Sequence, residues 1–193
     1  TELTLAREIT LIASGFSVLA LAATYPLMMH LGSVLPNDLG DPVLNAWILA
    51  WDADRLLHGL NGLWTAPMYF PYEATLAYSE NLLGIAIFTA PLQWLTGNPV
   101  LVYNVAFLAS FVLAGTGMYL LATSITGSRA AGLVAGIAFA FLPYRADKIP
   151  HLQVLMYGWM PVALWGFHRY FSTGHRLALT VFAVAVLLQG LSN

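Results

Sequence analysis

Apolar runs dominate the chain and are separated by short polar stretches. Residues 9–31 form the first run, which is long enough, at about 1.5 Å per helical residue, to cross a hydrocarbon core of roughly 30 Å. Five more apolar runs follow, at residues 82–96, 99–125, 129–143, 152–171 and 177–191. This pattern predicts an all-α protein, a polytopic transmembrane helix bundle in which residues 1–193 form one transmembrane domain.

Residues 33–81 interrupt the apolar pattern and hold six of the nine acidic residues, with Arg55 as the only base. Because this stretch follows a helix that Arg7 anchors in the cytoplasm, we expect it to be the first extracytoplasmic loop. Within it, residues 42–58 predict an amphipathic juxtamembrane helix that lies on the interface with its tryptophans in the headgroups, capped by Asp41. An ordinary packing helix without chemistry fits the periodicity equally well.

The topology depends on residues 82–96, which are short for a span and contain Pro91. If this segment crosses the membrane fully, the helices after it have the opposite orientation in the membrane. If it enters only to half depth, the cytoplasmic side holds four of the seven bases, which the positive-inside rule favours. We therefore expect a cytoplasmic N-terminus and a half-depth segment 82–96. Those four bases are Arg7, Arg129, Arg169 and Arg176.

The composition supports a membrane protein and excludes other classes. Hydrophobic residues make up 59% and charged residues 8%, where soluble proteins have about 25% charged residues. The net charge of −2 offers no basic surface for nucleic acid, and the absence of cysteine excludes disulfides and thiol nucleophiles. The chain begins at Thr1, so we expect it to be the N-terminal part of a longer protein. The first apolar run is too long for a cleaved signal peptide.

Polar residues of the loop form the first candidate site. Carboxylates at a membrane surface can act as a general base or bind a divalent cation, so Asp41, Asn45 and Asp52 are candidates together with Asp38. The alternative is a solvated loop with ordinary caps. Glu80 can reach the same cavity, or it can cap the helix that follows.

A second candidate site follows the span that ends at Pro143. Arg145 and Lys148 at the mouth of a helix bundle suit a lipid phosphate or pyrophosphate, with His151 beside them. The alternative is a pair of interfacial anchors, with Asp147 simply pairing with the two bases. The five histidines show no metal-binding spacing, so the sequence does not identify a metal ligand.

Two stretches carry a resemblance to a known superfamily. The run Gly40-Asp41-Pro42-Val43-Leu44-Asn45 after one transmembrane helix resembles the first outer loop of the GT-C membrane glycosyltransferases, in particular the oligosaccharyltransferase catalytic subunit. Residues 126–133, running on to Phe141-Leu142-Pro143, resemble the cytoplasmic turn and following helix of that superfamily. The resemblance covers nearly the whole chain and extends to uncharacterised bacterial members. The resemblance therefore implies that the protein lies in the inner membrane of a bacterium.

The resemblance implies a transferase that takes a sugar from a polyprenyl-phosphate donor at the outer face. Asp41 and Asp147 would be the catalytic carboxylates, although Asp147 lacks the second acid of the usual pair. The remaining candidates would bind substrate, and a divalent cation is the possible cofactor. Those substrate-binding candidates are Asn45, Asp52, Glu80, Arg145, Lys148 and His151.

Two other functions stay open. The chain can be a non-catalytic membrane subunit of a larger photosynthetic or respiratory complex, where its 25 Trp, Phe and Tyr residues would contact lipids, pigments or partner subunits. A transporter is the weaker alternative, because no charged residue lies in the middle of a long apolar segment.

Overall fold

The computed structural model describes residues 4–192 of the chain as an all-helical protein. Helices account for 71% of the residues, and residues 4–192 contain no strand, as the sequence predicts. Two short 3₁₀ helices, Leu27–Met29 and Thr75–Tyr78, lie in the loops. The α-helices are α1 (Leu5–Ala23), α2 (Asp41–Leu57), α3 (Leu83–Thr96), α4 (Pro99–Thr126), α5 (Arg129–Ala140), α6 (Tyr144–Asp147), α7 (Leu152–Leu155), α8 (Trp159–Thr173) and α9 (Arg176–Gly190).

Helices α1 and α4 run antiparallel, and this sets the two ends of the bundle. Near the start of α4, the Asn104 Nδ2 donates to the backbone carbonyls of Leu31 and Val34, each at 2.7 Å. Beyond the other end of α4, Arg129 pairs with Glu8 at 2.9 Å. We call the end that carries residues 24–98 the loop end and the opposite one the turn end. The chain thus leaves α1 and enters α4 at the same end.

Close helix packing arranges the rest of the bundle around α4. Helix α5 returns along α4 from the turn end, and a Cβ added to Gly136 would lie 2.7 Å from the Gly115 carbonyl oxygen. Helix α8 packs on another side of α4, where a Cβ on Gly117 would lie 2.9 Å from Val162. Small residues therefore allow the backbones to approach closely, as the Gly132-x-x-x-Gly136 pattern predicts.

Two helices are long and apolar enough to cross a membrane: α1, with 19 residues, and α4, with 28. Helices α3 and α9 are apolar but shorter. Of the other predicted spans, residues 129–143 form α5, with only 12 helical residues. Length and composition therefore support membrane insertion for two segments of residues 4–192 and leave the polytopic bundle a prediction.

The apolar run over residues 152–171 does not form one continuous helix. Helix α7 ends at Leu155, and α8 begins at Trp159 after a turn. Pro161 explains the break, because its missing N–H and its ring are tolerated only in the first turn of a helix. Gly158 occupies the turn, where a Cβ would lie 2.6 Å from the Ala114 backbone nitrogen. The break therefore lets the chain pack tightly on α4.

The juxtamembrane helix predicted over residues 42–58 is present as α2, and it is a packed helix. It lies against α3 and α4, with Asn45 and Asp52 fully buried on the same face as Ile48 and Leu49. Its tryptophans are half-buried and packed against the core. Asp41 does not occupy the predicted N-cap position, because the helix begins at Asp41 with Gly40 preceding it. Two polar residues of α2, Asn45 and Asp52, are therefore directed into the protein.

We expect Gly136→Ala to destabilise the helix pair α4–α5. The added methyl group would approach the Gly115 carbonyl oxygen more closely than van der Waals contact allows, which costs about 1–3 kcal/mol of unfolding free energy. Thermal unfolding of the purified protein measures the effect. Gly15→Ala is the matched control, because a Cβ at this helical glycine has no neighbour within 4 Å. An unchanged melting temperature for Gly136→Ala would contradict the packing described here.

Candidate functional site

Asp41 and His151 meet at the loop end, although 110 positions separate them in the sequence. His151 Nε2 lies 3.1 Å from the Asp41 carboxylate, and both side chains are partly exposed. Since the first turn of α2 carries Asp41 and the turn before α7 carries His151, the two candidate clusters of the sequence share one surface. An acid and an imidazole in contact can accept and relay a proton.

Beside this pair, a buried polar network joins α2 to α7. The Asn45 Nδ2 donates to Gln153 Oε1 at 3.1 Å and to the Pro150 carbonyl at 3.3 Å. The Gln153 Nε2 in turn donates to Glu80 Oε1 at 3.3 Å. Glu80 is therefore linked through Gln153 to Asn45, while its neighbour Asn81 accepts from the first backbone N–H of α3. Because Asn45 is fully buried, the network fixes the position of the chain next to His151.

Arg145 is the most unusual charged residue of the site. It is only 3% exposed, and its guanidinium lies 3.9 Å from the centre of the Phe111 ring. Its Nη atoms donate to Ser110 Oγ and to the Leu155 carbonyl, whereas Nε has no hydrogen-bond partner. No carboxylate of residues 4–192 lies within 4 Å of it. The protein therefore buries a cation without a counter-ion, which is costly unless an anion binds there.

A mostly apolar cavity of about 630 Å³ adjoins Arg145. It lies between the segment after α1 and the segment from α4 to α6, and Arg145 supplies the only charged side chain of its lining within residues 4–192. Its apolar walls include Leu27, Phe107, Phe111 and Phe141. An apolar cleft with one cation suits an amphiphile with an acidic head and a hydrocarbon tail.

Asp147 and Lys148 lie outside this cavity. Asp147 is exposed and pairs with Lys148 at 2.7 Å, which lowers the pKa of the Asp147 carboxyl. The pairing agrees with the plainer interpretation of the sequence, in which Asp147 neutralises a neighbouring base. The structure thus separates the predicted cluster, since Arg145 lines the cavity and its neighbours in sequence contact one another.

Asp52 is buried in α2, and neither carboxylate oxygen has a hydrogen-bond partner among the described residues. Burial raises the pKa of Asp52 from 3.8 to about 7. The carboxyl is therefore protonated over much of the acidic range. The structure provides no contact between Asp52 and the Asp41–His151 pair.

Metal binding receives no support from side-chain clustering. Within residues 4–192, no three histidines or carboxylates come together as a possible metal site. Asp41 with His151 supplies two ligands at most, and the divalent cation implied by the resemblance stays a prediction.

Sequence reasoning missed Gln153 and Ser110, which hold the two predicted clusters in place. Each is a polar residue flanked by apolar neighbours in the sequence, and each is buried. An unpaired amide or hydroxyl at such a position is costly, so its presence is a signal that a polar partner lies opposite. The partner itself, Asn45 for Gln153 and Arg145 for Ser110, depends on tertiary contacts.

Comparisons with known proteins leave the site to be interpreted from its own chemistry. No protein-family model matches the chain, and no curated protein or solved structure matches it.

We expect Asp52→Asn to stabilise the protein above pH 7. In the folded protein the acid keeps its proton up to about pH 7, whereas the unfolded chain releases it near pH 3.8. Stability contributed by the neutral acid is therefore complete below pH 3.8 and is lost as the pH rises towards 7. The amide cannot ionise, so the melting temperature of the variant should exceed that of the wild type by several degrees at pH 8 and by much less at pH 4.5.

Thermal unfolding in matched buffers at the two pH values measures this difference. Asp54→Asn on the same helix is the control, because Asp54 is half-exposed and pairs with Arg55. A pH-independent difference between Asp52→Asn and wild type would contradict the assignment of the buried acid.

Proposed function

We propose that this protein is an integral membrane glycosyltransferase of the GT-C type. It transfers a sugar from a polyprenyl-phosphate donor at the loop end, which faces outside. The observation that carries the proposal is the buried Arg145, which has no counter-ion among residues 4–192 and lines an apolar cavity at the same end as Asp41 and His151. The sequence resemblance in residues 40–45 and 126–133 points to the same class.

Exposed apolar side chains support a multi-pass arrangement. Leu11 and Val18 on α1, Val134 on α5 and Leu187 on α9 are half or more exposed, and these helices adjoin α4 or α8. In water such a surface is unfavourable, whereas hydrocarbon accommodates it. The turn end carries Arg7, Arg129, Arg169 and Arg176, which supports a cytoplasmic location for that end.

The donor binds with its phosphate on the Arg145 guanidinium and its prenyl chain along the cavity. Arg145 Nε is the unoccupied donor, and the planar guanidinium suits a phosphate through two parallel hydrogen bonds. Leu27 and Phe141 provide apolar contact for the chain, which replaces contact with the membrane interior. The positive charge also stabilises the negative charge that develops on the leaving phosphate.

Asp41 acts as the general base. The acceptor hydroxyl attacks the anomeric carbon of the sugar, the bond from that carbon to the phosphate oxygen breaks, and the acceptor proton passes to the Asp41 carboxylate. Polyprenyl phosphate leaves with the electron pair of the broken bond. His151, at 3.1 Å, orients Asp41 and can receive the proton afterwards. A base of ordinary strength suffices because phosphate is a good leaving group.

Asp41→Asn should abolish sugar transfer and leave expression intact. The amide keeps the size of the side chain but cannot accept the acceptor proton. Transfer is measured with the full-length protein in membranes, as incorporation from a radiolabelled polyprenyl-phosphate hexose. Asp54→Asn, the same change on the same helix, should retain wild-type transfer. Transfer at the wild-type rate by Asp41→Asn would end the assignment.

Arg145→Met should abolish binding of a lipid phosphate without lowering stability. Farnesyl phosphate is the probe and farnesol the neutral control, and the readout is the rise in melting temperature that each produces. We expect farnesyl phosphate to raise the wild-type melting temperature more than farnesol does, and Arg145→Met to remove that difference. Because the arginine is a buried charge without a counter-ion, methionine should leave the unliganded protein as stable as the wild type or more so.

Equal shifts with farnesyl phosphate and farnesol in the wild type would contradict the phosphate site. Stoichiometric retention of the protein in a multi-subunit membrane complex, without bound lipid phosphate, would instead favour the non-catalytic subunit.

A further inference from the structure

A separate groove lies in the loop between α2 and α3, away from the Arg145 cavity. We call it the tyrosine groove, and its volume is about 410 Å³. It combines three aromatic rings with one carboxylate and two hydroxyl side chains. Its lining residues are Tyr69, Tyr72, Glu73, Thr75, Tyr78 and Ser79.

The base of this loop is fixed to the protein. Leu76 donates its backbone N–H to the Trp64 carbonyl at 3.0 Å, and the Thr75 hydroxyl donates to the Ala66 carbonyl at 3.0 Å. Leu76 and Ala66 are themselves buried in the core that contains α2 and α4. The groove is therefore held on an ordered frame, which lowers the entropy cost of binding a ligand.

The tip of the loop holds its aromatic rings outward at a conformational cost. Tyr72 is 76% exposed and Tyr78 is 90% exposed, although burial of such rings is normally favourable. Tyr69 and Ala74 both have left-handed backbones, with φ of 55° and 53°, which non-glycine residues rarely adopt. Strained backbone on either side of an exposed aromatic cluster is typical of a binding surface.

We propose that the tyrosine groove binds a neutral oligosaccharide. A pyranose ring presents a face of C–H groups that stacks on an aromatic ring, and a rim of hydroxyl groups that hydrogen-bond to carboxylates and hydroxyls. Tyr72 and Tyr78 supply the stacking surfaces. Glu73 accepts hydrogen bonds from sugar hydroxyls, and the tyrosine hydroxyls both donate and accept.

The charge of the loop disfavours an anionic ligand. Within residues 33–81 the only base is Arg55, and its guanidinium already pairs with Asp54. No cation is therefore available in this loop to neutralise a uronic acid, a sugar phosphate or an anionic lipid headgroup. Glu73 would repel each of them, whereas it favours the hydroxyls of an uncharged sugar.

Saturation-transfer NMR on the purified protein tests the proposal. The protein is held in amphipol, because an alkyl maltoside detergent would itself offer a sugar. The probes are maltotriose, cellotriose and chitotriose, with trigalacturonate as the anionic counterpart. We expect saturation of at least one neutral trisaccharide and none of trigalacturonate. Absence of saturation for all three neutral probes would overturn the proposal.

Variants locate the binding on the groove. Tyr72→Ala and Tyr78→Ala should each weaken the affinity about three- to tenfold, which corresponds to the loss of one stacked ring. Glu73→Gln should weaken it to a similar degree. Phe70→Ala is the matched control, because Phe70 is 91% exposed in the same loop and does not line the groove. Equal losses from Phe70→Ala and Tyr72→Ala would overturn the groove as the binding site.

Vesicle flotation separates the sugar site from an aromatic contact with lipid. If Tyr78→Ala lowers the association of the amphipol-held protein with phosphatidylcholine vesicles and leaves trisaccharide saturation unchanged, the rings contact membrane and the proposal is wrong. This outcome is independent of sugar transfer, because none of the measurements requires a donor or turnover.

Discussion

The close packing of α4 against its neighbours is the constraint from which the site follows. Glycines allow α5 to lie directly on α4, so Phe141 packs against Phe111 near the middle of α4 and the following segment places Arg145 beside Ser110. A Cβ on Gly136 would lie 2.7 Å from the Gly115 carbonyl oxygen, so this contact depends on the close fit of the two backbones. A bulkier residue at Gly136 would move the arginine as well as the helix.

The protein tolerates the burial of Arg145 because the surrounding groups suit a guanidinium. The Phe111 and Tyr157 rings lie within about 5 Å of it, and a hydroxyl and a carbonyl accept from its Nη atoms. These contacts replace part of the lost hydration, but they bring no negative charge. The folded protein consequently retains an electrostatic attraction for an anion inside an apolar cleft.

The sequence allowed the helices to be predicted well and their contacts only in part. Hydrophobic runs predicted α4 and α5 because that signal is local, whereas α1 ends at Ala23, before the end of the predicted run at Leu31. The break before α8 was missed, although Pro161 indicates it, because the surrounding residues are all apolar. The pairing of Asp41 with His151 required the fold, since nothing local to either residue encodes a partner 110 positions away. The assignment of roles still depends on the resemblance.

The opposite charges of Asp41 and Arg145 do not pair with each other. If Asp41 and Arg145 formed a salt bridge, each would neutralise the other and neither would be available to a ligand. Instead, His151 contacts the carboxylate, while Ser110 and a backbone carbonyl hold the guanidinium. Neither charge contacts a full opposite charge. The electrostatic attraction of each for a ligand is therefore only partly cancelled. That arrangement costs folding stability, and it leaves both charges available to a ligand.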